Sequence, residues 1–234
     1  GVARLKKLGH EVELDADALS SHTRFAGDDA TRLAAIHRAA DSGADVALIS
    51  RGGYGLTRIL PGIKYKQVAK AIAKGTQFVG LSDFTAFQNA LLAKTGAITW
   101  AGPALGEDFG ALQPDDIMEA CFDDMVSGQG EGAGWHFSTT CATANAMRRS
   151  GVWAHDAVLW GGNLAVLVSL LGTPYFPQIK NGVLFLEDVG EHPYRIERML
   201  TQLLHAGVLA DQKAIVLGQF SNYKLTPHDK GFKL

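Results

Sequence analysis

The chain has 234 residues, 47% of them hydrophobic and 20% charged, which excludes a disordered polypeptide and leaves room for one large domain or two small ones. Lys and Arg number 22 against 24 Asp and Glu, a net charge of −2, so no global field draws the chain to nucleic acid or to an anionic membrane. No apolar run reaches the roughly 18 residues of a membrane-spanning helix.

From the start, Val2, Leu5 and Leu8 share a helical face that Gly9 closes, and Glu11 to Leu14 alternates like a short strand. Phe25-Ala-Gly-Asp-Asp forms a turn able to cap a helix from Asp29 to Ser42. Val46 to Ser50 is a continuous apolar run of the kind covered on both faces, followed by the loop Arg51-Gly-Gly-Tyr-Gly55. A helix from Tyr65 to Lys74, a buried-type strand from Gln77 to Leu81 and a helix opened by Ser82-Asp83 and running to Lys94 come next. Ile98 to Ala101 reads as a strand and Pro114 to Val126 as a helix.

This alternation predicts an α/β fold: a parallel sheet sandwiched between helices. It holds over an N-terminal domain of residues 1–127. The glycine-spaced stretch 128–150 breaks the rhythm and reads as a linker. A smaller C-terminal α/β or β-rich domain, 151–234, follows. In it stand Trp160-Gly-Gly-Asn163, a helix from Leu164 to Leu171, a strand from Val183 to Glu187, an amphipathic helix from Tyr194 to Ala206 and a strand from Ala214 to Leu217. Cys121 and Cys141 are too few for a disulfide scaffold and lie in no CxxC pair, so both read as buried small hydrophobes in a reducing compartment.

Three places can carry chemistry. In Gly80-Leu81-Ser82-Asp83 a serine sits between a buried strand and a helix start, where a sharp turn exposes a hydroxyl beside unpaired N–H groups. The plain alternative is that Ser82 or Asp83 caps the helix; the second glycine of GxSxG is missing. Arg51-Gly52-Gly53-Tyr54-Gly55 follows another strand and offers consecutive N–H groups to an anion, or is simply a tight turn. Both loops leave the carboxyl ends of strands, where open α/β sheets bind ligands. Glu187, ending an apolar strand, could orient a histidine, or be a solvated strand end or helix cap.

Among His10, His22, His37, His136, His155, His192, His205 and His228, none has metal-ligand spacing beside a carboxylate helix. His205 suits a helix C-terminus, His37 is a surface or core residue, and only His228 stands in a late polar loop.

Five segments in order, Arg24-Phe-Ala-Gly27, Arg51 to Gly55, Gly80-Leu-Ser-Asp-Phe-Thr85, Trp160-Gly-Gly-Asn-Leu164 and Leu186-Glu-Asp188 with Pro193 to Leu200, closely resemble the LD-carboxypeptidases. That family, the muramoyltetrapeptide carboxypeptidases, consists of serine peptidases. The resemblance implies removal of the terminal D-alanine from murein tetrapeptides during cell-wall recycling, in the cytoplasm, often by a homodimer. It implies a Ser–Glu–His triad without metal or other cofactor. The serine falls on Ser82, the acid on Glu187, and the oxyanion hole on the N–H groups of Asp83 and Gly53. Arg51 is the candidate cation for the free carboxylate of the peptide.

The family histidine lies in a Gly-His segment beyond Leu234, and the chain opens without Met inside a helical pattern. A fragment lacking both ends, and inactive for want of its base, is therefore expected. Family members that hydrolyse peptide–nucleotide antibiotics, and a non-catalytic small-ligand module, are the alternatives.

Overall fold

The computed structural model describes residues 1–130, 132, 134 and 154–229. Most of the expected linker 128–150, together with Cys141 and His136, lies outside the described residues. The chain divides into two compact units, residues 1–129 with 166–178, and residues 130–165 with 179–234.

The first unit is built on a parallel sheet in the order β1 (Val46–Leu48), β2 (Gln77–Gly80), β3 (Trp100–Ala101). Val46 pairs with Gln77 and Val79 with Trp100. Alternate side chains of β2 face opposite layers. On one side Phe78 meets Phe87, which stacks on Phe84 at 4.8 Å between ring centroids. Phe84 and Phe87 belong to α5 (Phe84–Thr95), which packs with α4 (Tyr65–Ala73), the helix that turns Val68 and Ala71 inward. On the other side Val79 is fully buried with Leu5 of α1 (Val2–Lys7), Phe109, and Phe122 of α6 (Asp116–Ser127). The expected sandwich is thus present, with helices on both faces.

Local caps explain the helix starts. α2 (Asp29–Asp41) is capped by the Asp28 carboxylate, which accepts the Thr31 N–H at 2.8 Å. Asp115 does the same for Met118 in α6.

Two expectations need correcting, and one segment left unassigned acquires structure. Glu11 to Leu14 forms no strand; its one inward residue, Val12, packs against the Leu5–Phe122 cluster without a ladder partner. The segment after Gly55, to which the sequence assigned no element, holds a short helix, α3 (Leu56–Ile59), and a 3-10 turn, Leu60–Gly62. Cys121 is exposed, because α6 turns Met118, Phe122 and Met125 to the core and leaves Cys121 beside that stripe.

The second unit is also a parallel sheet, ordered β4 (Leu159–Asn163), β5 (Val183–Val189), β6 (Ala214–Ser221). Helix α8 (Pro193–His205) links β5 to β6, whereas α7 (Leu164–Ser169), which follows β4 directly, gives only Leu164 and Ala165 to this unit. Ile196, Met199 and Leu203 form the buried stripe of α8, and Leu184 and Leu186 the buried face of β5.

Candidate active site

β1 and β2 are adjacent and parallel, so the chain segments leaving their carboxyl ends emerge side by side. One carries Ser82, the other the Arg51–Gly55 loop. They touch: a Cβ on Gly52 would lie 2.9 Å from Cβ and 3.1 Å from Oγ of Ser82. Only glycine lets the loop come this close.

Ser82 itself has φ +60°, a left-handed conformation that costs a non-glycine residue about 1–3 kcal/mol. Such strain is retained where the surroundings impose it, and it is the geometry of a serine presented on a strand-to-helix elbow. Its hydroxyl has no hydrogen-bond partner among the described residues. Capping does not account for the serine, since the start of α5 carries no side-chain cap.

The Asp83 carboxylate turns away from its own helix and accepts the Leu56 N–H at 2.8 Å. Burial pushes this carboxyl above its ordinary range, and the Leu56 N–H only partly offsets that. Asp83 therefore ties the Ser82 elbow to α3, the helix that follows the Arg51 loop. The backbone N–H groups of Asp83 and Gly53 have no partner among the described residues. The N–H of Gly52 is taken, by Glu107 Oε2 at 3.1 Å. Arg51 is an exposed side chain, with its guanidinium 3.9 Å from the same carboxylate.

The Arg24–Gly27 motif buttresses this loop. His22 and Phe25 exchange backbone hydrogen bonds across a tight turn. The Phe25 ring then presses on Gly55, where a Cβ would stand 2.3 Å from it, and packs on Tyr54 at 5.6 Å. Arg32 covers the ring at 4.2 Å and donates to the Gly55 carbonyl. A cleft of about 410 Å³ beside this buttress is lined by His22, Phe25, Asp29 and Arg58 and does not include Ser82.

In the second unit Glu187 lies on β5, in register with Asn163 of β4. The β5–β6 ladder shifts register between Leu186 and Asp188, so the irregularity falls on Glu187. Burial raises the Glu187 carboxyl above its usual range, the Asp188 charge adds to this, and a hydrogen bond with the Asn163 side chain opposes both. Capping is the task of its neighbour: Asp188 is buried and accepts the Ala165 N–H of α7 at 2.9 Å.

The histidines divide by role. His37 accepts the Lys64 N–H at 3.1 Å and is held below its ordinary value, first by burial. His192 caps α8 through Nδ1 and pairs with Asp229 at 3.0 Å. The Asp229 carboxyl falls to about 2, mainly through Thr226. His205 and His228 are exposed. No cluster of metal-ligating side chains occurs among the described residues.

Sequence reasoning missed Glu107, Asn163 and the Phe25 buttress. The carboxyl-edge position after β3 signalled the first, and Asn163 stood in a segment already singled out. The contacts themselves depend on strand neighbours.

A strained serine thus stands at the carboxyl edge of a parallel sheet, near backbone N–H groups that have no partner among the described residues, an arrangement of the kind serine hydrolases use. The LD-carboxypeptidase N-terminal domain matches residues 1–102 and the LD-carboxypeptidase C-terminal domain residues 156–233. The chain belongs to the LD-carboxypeptidase family. It is 31% identical over 231 residues to a probable murein peptide carboxypeptidase of Bacillus subtilis, covering 98% of this chain and 69% of that one. The solved muramoyltetrapeptide carboxypeptidase from Oxalobacter formigenes is 38% identical, with a TM-score of 0.84 over 99% of this chain and 75% of its own. The microcin C7 self-immunity protein MccF of Escherichia coli is 29% identical over 188 residues, 72% of this chain and 54% of that protein. The chain thus spans between about half and three-quarters of the relatives it matches.

Proposed function

We propose that the protein is a serine carboxypeptidase that removes the terminal D-alanine from murein tetrapeptides. The observation that carries this reading is Ser82 at φ +60°, its hydroxyl unpartnered among the described residues and beside the Gly52–Gly53 loop. The names of the B. subtilis and O. formigenes relatives supply the substrate class.

Ser82 Oγ attacks the carbonyl carbon preceding D-alanine as a histidine takes its proton. The Asp83 and Gly53 N–H groups stabilise the oxyanion that forms, a role in which one lost donor costs about 10²–10³ in rate. The amide C–N bond breaks as the histidine returns the proton to the leaving amine, and water then hydrolyses the acyl-serine ester. Glu187 holds the imidazole in the right tautomer, and Arg51 meets the free carboxylate of the peptide. The base is assigned to none of the eight histidines of residues 1–234. Homodimerisation, a cytoplasmic location and a place in peptidoglycan recycling belong to the same reading and rest on the family alone.

In the full-length protein Ser82→Ala should abolish D-alanine release while leaving thermal unfolding unchanged, and a serine-directed covalent reagent should label the wild type only at Ser82. Release retained in Ser82→Ala, or no labelling of an intact fold, refutes the serine mechanism. The MccF relative supports a second reading, hydrolysis of a peptide–nucleotide; a higher kcat/KM for such a conjugate than for the tetrapeptide would favour it.

A further inference from the structure

Among the described residues the Glu107 carboxylate is the one side chain that hydrogen-bonds to the backbone of the Arg51–Gly53 stretch, and nothing in the proposed reaction uses it. It accepts the Gly52 N–H at 3.1 Å, and its Oε2 lies 3.5 Å from the place a Gly52 Cβ would take. Ser82 Oγ lies 3.1 Å from that same place. Carboxylate, loop and hydroxyl therefore meet around one point.

The side chain is half exposed, yet its backbone is not free. After β3 the chain doubles back: Leu105 N–H donates to the Ile49 carbonyl at 2.9 Å and Gly106 N–H to the Ser50 carbonyl at 2.8 Å. The Asp108 carboxylate closes the turn on the Ala104 N–H at 2.7 Å, and Phe109, 1% exposed, anchors it in the core. Glu107 is thus carried on a turn that is itself fastened to the residues just before the loop it contacts.

We propose that Glu107 is a positioning residue for the oxyanion loop. By holding the Gly52 N–H it fixes the Arg51–Gly52 peptide plane, so that only the two backbone torsions of Gly52 separate this anchor from the Gly53 N–H, which is aimed at the oxygen that develops in front of Ser82. This inference rests on the serine-carboxypeptidase reading above. An exposed loop of consecutive glycines has little stiffness of its own, and loss of its tether lets the donor wander from a geometry that must hold to about 1 Å.

The test uses the full-length protein with a murein tetrapeptide. Glu107→Ala should lower kcat about tenfold with KM within twofold. Glu107→Gln, whose amide oxygen still accepts the Gly52 N–H, should stay within about threefold of wild type. Normal kcat in Glu107→Ala, equal losses in both variants, or a change confined to KM overturns the positioning role. A wild type that releases no D-alanine ends the carboxypeptidase reading and this role with it. An independent NMR measurement tests the contact: the Gly52 amide proton should follow the ionisation of Glu107 in wild type and cease to do so in Glu107→Gln. An amide that titrates alike in both refutes the tether whatever the activity.

Discussion

Gly52→Ala isolates the contact between the Arg51–Gly55 loop and Ser82. The added methyl would stand 2.9 Å from Ser82 Cβ and 3.1 Å from Oγ. Carbon pairs rest at about 3.5–4.0 Å, so the two segments must part by roughly half an ångström or more. Neither yields easily, since Glu107 and Asp83 tether the loop and α3, and Ser82 is held between β2 and α5. A displacement near 1 Å in reacting geometry costs on the order of 10²-fold in rate, about 2.7 kcal/mol of barrier. Stability changes less. Overpacking costs about 1–3 kcal/mol, and stiffening the unfolded chain returns about 0.4–1 kcal/mol. Gly52 is not among the residues with positive φ, so alanine meets no backbone penalty there. The expected result is a kcat reduced 30–100-fold, on the order given above, with a melting temperature lowered by only a few degrees. Initial rates of D-alanine release beside a thermal unfolding curve decide it. A kcat within twofold of wild type in a folded variant would refute the argument that this contact sets the serine.

Asp83→Asn separates charge from acceptor. The raised carboxyl of Asp83 favours the folded state most below about pH 4 and loses that contribution as pH rises through its elevated value. The amide keeps an oxygen for Leu56 and carries no charge, so wild type should lose urea resistance relative to the variant between pH 4 and 7; parallel profiles would contradict this. Asn163→Ala removes the hydrogen bond that opposes the raised Glu187 carboxyl, so the acid limb of the kcat/KM profile should move to higher pH. An unmoved limb would detach Glu187 from the reaction. Phe87→Ala empties a fully buried site between Phe78 and Phe84 and should lower unfolding free energy by about 3–5 kcal/mol in denaturant titration; under 1 kcal/mol would mean the layer repacks.

Much of the first unit was legible because its strands are apolar runs bounded by glycine and polar turns, and its helices are capped from neighbouring residues such as Asp28. The Ser82 elbow was legible as position, between a buried run and a helix start. Its strain was not, because φ at Ser82 depends on where β1 and α3 hold the flanking chain. β4 escaped notice because Gly161 and Gly162 lack strand propensity; Gly161 belongs there since a Cβ would fall 2.1 Å from the Phe185 carbonyl oxygen. The division of labour between Glu187 and Asp188 hangs on a register shift against β6 that no local pattern encodes.

Residues 166–178 fall within the match to the C-terminal family domain, yet they cluster with the first unit. Leu167, Leu170 and Phe176 are buried, and Tyr175 stacks on Tyr65 and lies under Lys94. A gene cut after residue 129 would strand that patch on the wrong polypeptide, leaving α4 and α5 without a covering they cannot replace. Recombination between relatives at the obvious seam should therefore yield poorly soluble chimeras unless both parents contribute compatible residues at 65, 94 and 175.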